Sequence, residues 1–177
     1  MVFVVAACGN SASNEIPGAT DLGVAAPTRS VIPAEIATKS SAPNSGRKVG
    51  GDVGDLAPEL GGINAWINGG PYTMDQLRGQ VVLIDFWTYT CINCIRTYPF
   101  LKQWHSRYAD DGLVIVGVHT PEFEFEKNYD NVLEATQLNA LKWVVDQDNA
   151  SITRRSYNNR IWTAKYLIDK DGVVRYT

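Results

Sequence analysis

Cysteine is scarce in this chain: Cys8, Cys91 and Cys94 are the only three. That number excludes a disulfide-stapled scaffold, and being odd it leaves one cysteine with a separate role. Histidine is scarcer still, with only His105 and His119. A structural zinc site needs four ligands, usually in two close pairs, and the fourteen-residue spacing of the histidines makes no such pair. Positive charge is not in excess. Lys plus Arg is 16 and Asp plus Glu is 19, for a net charge of −3, which argues against a nucleic-acid partner. No run reaches the roughly 18 apolar residues of a membrane span. Aromatic residues are missing from positions 9–55, and proline is missing after Pro121.

What is present divides the chain near residue 56. Residues 9–55 are rich in Ser, Ala, Gly, Thr and Pro, and such a segment buries too little apolar surface to offset its ordering entropy. It is expected to be a tether, with a root-mean-square span of roughly 35–40 Å as a coil. Residues 1–8 differ, because Met1 to Ala7 is almost wholly apolar and runs into Cys8. Val5-Ala6-Ala7-Cys8-Gly9 resembles a bacterial lipobox, which implies a lipid anchor on Cys8. The stretch has no positive leader region and is short for a signal core.

From residue 56 the pattern alternates between strand and helix. Ile63 to Ile67 reads as a strand opening an N-terminal β-hairpin at Asn68-Gly69-Gly70-Pro71. Thr73 and Gln76 carry a capping-box signature for a short helix ending at Gly79. Val81 to Trp87 is a nearly continuous apolar run, as expected of a central strand covered on both faces. A helix is expected from Cys91 to Ala109, with Phe100, Trp104 and Tyr108 as its core-facing stripe. Leu113 to Val118 is a second central strand, and Phe125 to Asn139 a helix with Val132, Ala135 and Leu138 on its inner side. Trp143 to Val145 is a short strand and Ser151 to Tyr157 a short helix. Ala164 to Ile168 and Val173 to Tyr176 form a hairpin through Asp171-Gly172. The fold class is α/β, a mixed sheet with helices on both faces.

The chemistry concentrates at Trp87-Thr88-Tyr89-Thr90-Cys91-Ile92-Asn93-Cys94. This places a C-x-x-C at the exit of a strand and the entry of a helix, the context of a redox pair. Unpaired N–H groups and the positive end of the helix dipole favour a thiolate at Cys91, and the thiolate is the nucleophile. Cys94 lies one turn on and is placed to resolve a mixed disulfide.

The segment resembles the active site of the thioredoxin superfamily, more closely the TlpA/ResA-like thiol–disulfide oxidoreductases. Residues 86–94 are especially similar to the thioredoxin-like domain of DipZ-type cytochrome c biogenesis proteins. The resemblance covers about residues 56–177 and implies a thioredoxin fold. It implies catalytic roles for Cys91 and Cys94, and a buried Asp85 that takes the proton Cys94 must lose. It further implies that Trp87, Trp162 and Thr163 meet the substrate, and that Pro99 kinks the active-site helix. Its implied setting is the extracytoplasmic face of a bacterial membrane, with protein disulfides as substrates and electrons from a CcdA-type membrane donor. No cofactor or metal is implied. TlpA/ResA-like members often carry a Glu six residues after the first cysteine; here Thr97 stands there, which leaves the acid role to Asp85 alone. The loop from His119 to Glu126 also matches the DipZ-like pattern, and either contacts substrate or is a solvated helix start.

Two departures from the family stand out. Thioredoxin-fold enzymes place a cis-proline opposite the cysteines, where this chain has Trp162-Thr163-Ala164. A non-proline cis bond costs about 3–4 kcal/mol, so the expectation is a trans bond with a local shift or a costly cis bond. The family also continues into a final helix, which this sequence lacks and whose absence would leave apolar surface open. Two other functions stay in view: a non-catalytic or substrate-trapping adaptor, and a disulfide oxidant or isomerase, because the motif does not encode direction.

Overall fold

The computed structural model describes residues 46–177. Cys8 with its lipobox, and most of the tether, lie outside the described residues. Residues 46–55, before the compositional break at 56, pack on the domain. Gly50 N–H donates to Leu56 O, Gly54 N–H to Val174 O and Ala57 N–H to Gly172 O. Gly51 explains why the strap fits: a Cβ there would stand 2.1 Å from the Tyr157 carbonyl oxygen.

Six strands form one sheet: β1 (Trp66–Ile67), β2 (Val81–Trp87), β3 (Leu113–His119), β4 (Val144–Gln147), β5 (Lys165–Ile168) and β6 (Val174–Tyr176). Their order across the sheet is β1-β4-β3-β2-β5-β6. The central strands β2, β3 and β4 run parallel, while β1, β5 and β6 pair antiparallel with their neighbours. The helices are α1 (Ile92–Tyr108), α2 (Tyr129–Leu138) and α3 (Ile152–Ser156). This is the expected mixed thioredoxin-like architecture. The apolar run Val81–Trp87 is the central strand for the expected reason, since alternate residues feed two cores. Val82, Ile84 and Phe86 enter one with Leu77, Tyr157 and Ile168. Leu83 and Trp87 enter the other with Cys94, Tyr98 and Leu101 of α1. Gly117 on β3 is required there, because a Cβ would meet the indole nitrogens of Trp87 at 3.0 Å and Trp143 at 3.2 Å.

Several local expectations are corrected. The N-terminal hairpin does not form; Trp66–Ile67 pairs instead with β4, in register Trp66↔Asp146. Asn68, Gly69 and Gly70 all adopt positive φ and turn the chain away from a return strand. The capping box at Thr73 does form, with Thr73 N–H donating to Gln76 Oε1 and Gln76 N–H to Thr73 Oγ1, but it closes hydrogen-bonded turns rather than a regular helix. Phe100, Trp104 and Tyr108 are exposed, and α1 buries Cys94, Tyr98 and Leu101. Trp104 and Tyr108 border an open apolar groove of about 440 Å³ with Leu83, Leu113, Leu167 and Tyr176. The segment after β3 is not one helix. Asn128 caps α2 through its side chain and separates it from a 3₁₀ turn at Glu124–Lys127. Val132 and Thr136 face inward on α2, and Leu138 is 78% exposed.

Candidate active site

β2 ends at Trp87, and the next four residues carry the chain across the top of the sheet into α1. Cys91 is the N-cap of α1, with extended backbone. It is half-buried, while Cys94 behind it is buried, and both are free thiols. Cys94 N–H donates to Cys91 Sγ at 3.4 Å. One of the orphan donors of the helix start is therefore aimed at the sulfur, where it favours negative charge. Burial pushes the Cys94 thiol up to about 12, and its hydrogen bond to Cys91 and the nearby charges of Cys91 and Asp85 add to that rise. The two sulfurs are thus unequal, one reachable and hydrogen-bonded at the helix start, the other dry and held protonated.

Asp85 lies on β2 with 2% exposure. Burial raises its carboxyl above the ordinary range, and the Lys165 ammonium opposes that rise. Lys165 Nζ stands 2.9 Å from Asp85 Oδ1. The two residues are direct cross-strand partners in the β2–β5 register. Lys165 Nζ also donates to Thr97 Oγ1 at 3.2 Å and to the Thr163 carbonyl at 3.3 Å, and Thr97 Oγ1 donates to Cys94 O. Asp85 is therefore not alone beneath the cysteines. A lysine and a threonine complete a polar network, and sequence reasoning missed the lysine. The signal was available, because a charged residue inside a strand covered on both faces demands a partner.

Trp87, expected at the substrate face, instead packs in the core beneath the site. It is fully buried, with edge contacts to Tyr98 and His119. Trp162 is half-buried beside the site. Its indole N–H donates to Thr120 O at 2.8 Å, and the Arg154 guanidinium lies 3.9 Å over its ring. The bond before Thr163 is trans, as the only cis peptide among the described residues is Gly70–Pro71. The local shift is a left-handed Thr163 at φ 75, a strained conformation for a β-branched residue. Its N–H donates to Phe86 O, a bond that a proline could not make.

The loop from His119 to Glu126 is fastened to the cysteine loop. His119 is buried, and burial lowers its imidazole to about 4, so it is neutral near pH 7. It stacks on Tyr89 and lies 3.3 Å from Thr88 Oγ1. Glu126 is fully buried. Burial alone would raise its carboxyl, but hydrogen bonds from Thr90, Thr88 and the N–H groups of Phe123 and Glu122 hold it below the ordinary range.

Residues 53–177 match the AhpC/TSA family. The chain belongs to that family. This AhpC/TSA-family protein is 46% identical over 123 residues to Protein DipZ of Mycobacterium tuberculosis, a match covering 68% of the chain and 18% of DipZ. The chain thus spans less than a fifth of that relative. It is 30% identical to the thiol-disulfide oxidoreductase YkuV of Bacillus subtilis, across 67% of the chain and 80% of YkuV. Among solved structures, a thioredoxin-like protein in its oxidised form superposes with a TM-score of 0.63 at 29% identity, covering 70% of this chain and 82% of that one. The chain accordingly has a thioredoxin-like fold, shared with these relatives.

Proposed function

We propose that the protein reduces disulfides of protein substrates outside the cytoplasm, through Cys91 and Cys94. The carrying observation is the asymmetry of the pair: Cys91 at the helix N-cap accepts an N–H, and Cys94 is sealed behind it. The Cys91 thiolate attacks a substrate disulfide, forming a Cys91–substrate bond and releasing one substrate thiolate. Cys94 gives its proton to Asp85 and attacks Cys91 Sγ. The Cys91–Cys94 disulfide closes, and the second substrate sulfur leaves as a thiolate. Two electrons pass from enzyme to substrate, and a dithiol donor must return them. The resemblance to DipZ- and ResA-type proteins supports a CcdA-type membrane donor and a place in cytochrome c maturation or related envelope thiol chemistry, and the lipobox-like Val5-Ala6-Ala7-Cys8-Gly9 segment supports a lipid anchor at Cys8.

A second reading is favoured by one observation. The Thr163 N–H is committed to Phe86 on a strained backbone, so a segment that would meet substrate is altered. A slowed release of mixed disulfide, as in a trapping adaptor, follows from that reading. The reduction potential decides the direction. A value near −250 mV or below in glutathione buffers supports a reductant, and one near −120 to −180 mV an oxidant or isomerase. No turnover of a disulfide substrate under a dithiol donor supports the adaptor.

A further inference from the structure

Phe123 and Phe125 lie outside both hydrophobic cores. They are 51% and 55% exposed, and their rings stack in parallel with centroids 5.6 Å apart and planes 3° from parallel. Exposed aromatic pairs of this kind are unusual unless they meet a partner. The segment that carries them is rigidly held. Glu126 Oε2 accepts from Glu122 N–H at 2.6 Å and Phe123 N–H at 2.9 Å, and its other oxygen accepts from Thr90 Oγ1. Thr90 immediately precedes Cys91. A carboxylate is costly to bury unless its hydrogen bonds are made, and here every partner named lies in the aromatic segment or the cysteine loop. Tyr89 adds a second connection: its ring meets Phe125 at 6.3 Å, and its hydroxyl donates to Phe125 O. The exposed rings are thereby fixed relative to the nucleophilic sulfur. Glu122 is exposed beside them, while the exposed Glu124 is paired with Lys127 at 2.6 Å.

We propose that Phe123 and Phe125 form a docking platform for the polypeptide flanking the substrate disulfide, which rests on the reading of Cys91 as nucleophile. The occupant is an extended segment with an aromatic or aliphatic side chain and a basic residue close to its disulfide cysteine. The apolar side chain covers the phenyl rings, and the basic one faces Glu122. Rigid aromatics bind at low entropic cost, because little freedom is lost on contact. The platform therefore selects among protein disulfides by their flanking sequence, while the cysteines supply the chemistry.

The test uses two disulfide peptides, each carrying a chromogenic thiol on its cysteine. They differ only in Phe or Ser beside that cysteine, and both carry a nearby Lys. The expected result is a kcat/KM for the Phe peptide at least about ten-fold above that for the Ser peptide in the wild type. That ratio falls toward one in F123S/F125S and is retained in L138S, which alters an exposed leucine on α2. A Glu in place of the Lys is expected to lower kcat/KM, with the effect shrinking at high salt. A wild-type ratio near one overturns the proposal, as does an unchanged ratio in F123S/F125S. Equal loss on both peptides in F123S/F125S also overturns it, because it shows a structural role for the loop. If the wild type reduces neither peptide, the nucleophile reading has failed and the platform fails with it.

Discussion

Lys165→Met isolates the charge beneath the cysteines. The change keeps most of the side-chain volume and removes the ammonium 2.9 Å from Asp85 Oδ1. Both groups are largely out of solvent, with side-chain exposures of 16% and 3%. Breaking a buried pair by deleting one partner costs about 3–5 kcal/mol, because a buried charge is left uncompensated. Asp85 has an escape, since it can take up a proton. The folded-state carboxyl is already raised by burial, and the lysine restrains that rise; without the lysine it rises further. A carboxyl raised on folding gives stability that is full below its unfolded range and lost as pH climbs through its folded range. The penalty of Lys165→Met should therefore be smallest at acid pH and grow as pH rises, by up to about 1.4 kcal/mol per pH unit for one proton. Denaturant unfolding at several pH values reads that slope. Activity should follow the same logic. A larger protonated fraction of Asp85 leaves fewer molecules able to accept the proton of Cys94, so resolution of a Cys91 mixed disulfide slows and its pH profile moves alkaline. Asp85→Asn should slow the same step without that alkaline recovery. A stability penalty independent of pH, with an unmoved resolution profile, would refute the coupling of Lys165 to the chemistry.

Other outcomes follow from the same geometry. The Cys94 thiol is pushed up to about 12 and buried, so an alkylating reagent at pH 8 should label Cys91 and leave Cys94 unlabelled until the protein unfolds. Mass spectrometry of the labelled protein checks this. Thr163→Gly should be neutral or stabilising by up to about 1 kcal/mol, against the usual cost of a glycine, because it relieves a left-handed backbone at a β-branched residue; a clear loss of melting temperature would show that the threonine side chain is needed. Glu126→Gln replaces one of the two accepting oxygens by a donor and should cost about 1–3 kcal/mol, read by denaturant unfolding. Gly51→Ala puts a methyl 2.1 Å from the Tyr157 carbonyl oxygen; limited proteolysis should then cut near residues 46–55, and unchanged resistance would show that the strap is dispensable.

The parts of the fold legible in the sequence are those set by local rules. Val81–Trp87 declared itself by an apolar run broken only at Asp85, and Asp171-Gly172 by a turn between two short β-rich segments. The C-x-x-C was legible because its spacing and its place between strand and helix are both local. The errors came where two local readings were equally allowed. On α1 the set Phe100, Trp104, Tyr108 and the set Cys94, Tyr98, Leu101 both have helical spacing. The bulkier set looked like the core, and the structure buries the other. β1 was misread for a different reason: its partner is β4, far along the chain, and two residues carry no pattern that names a distant partner. Lys165 belongs to the same class, since its meaning lies in the cross-strand register with Asp85.

The acidic loop is the most instructive case. Glu122, Phe123, Glu124, Phe125 and Glu126 alternate, and alternation in a strand would put the rings in and the acids out. The structure does the reverse at the end of the run, burying Glu126 and exposing both phenylalanines. Hydrophobic patterning assumes that apolar burial decides which side faces the core, and here a carboxylate with several donors waiting for it decides instead. Those donors include Thr90, which no local pattern connects to residue 126. Burying an acid while leaving two phenyl rings in water forgoes about 1.5–3 kcal/mol for each ring left exposed. An arrangement with that cost needs a return elsewhere. The rings adjoin Tyr89 and the loop that carries Cys91, which is where a protein substrate must approach.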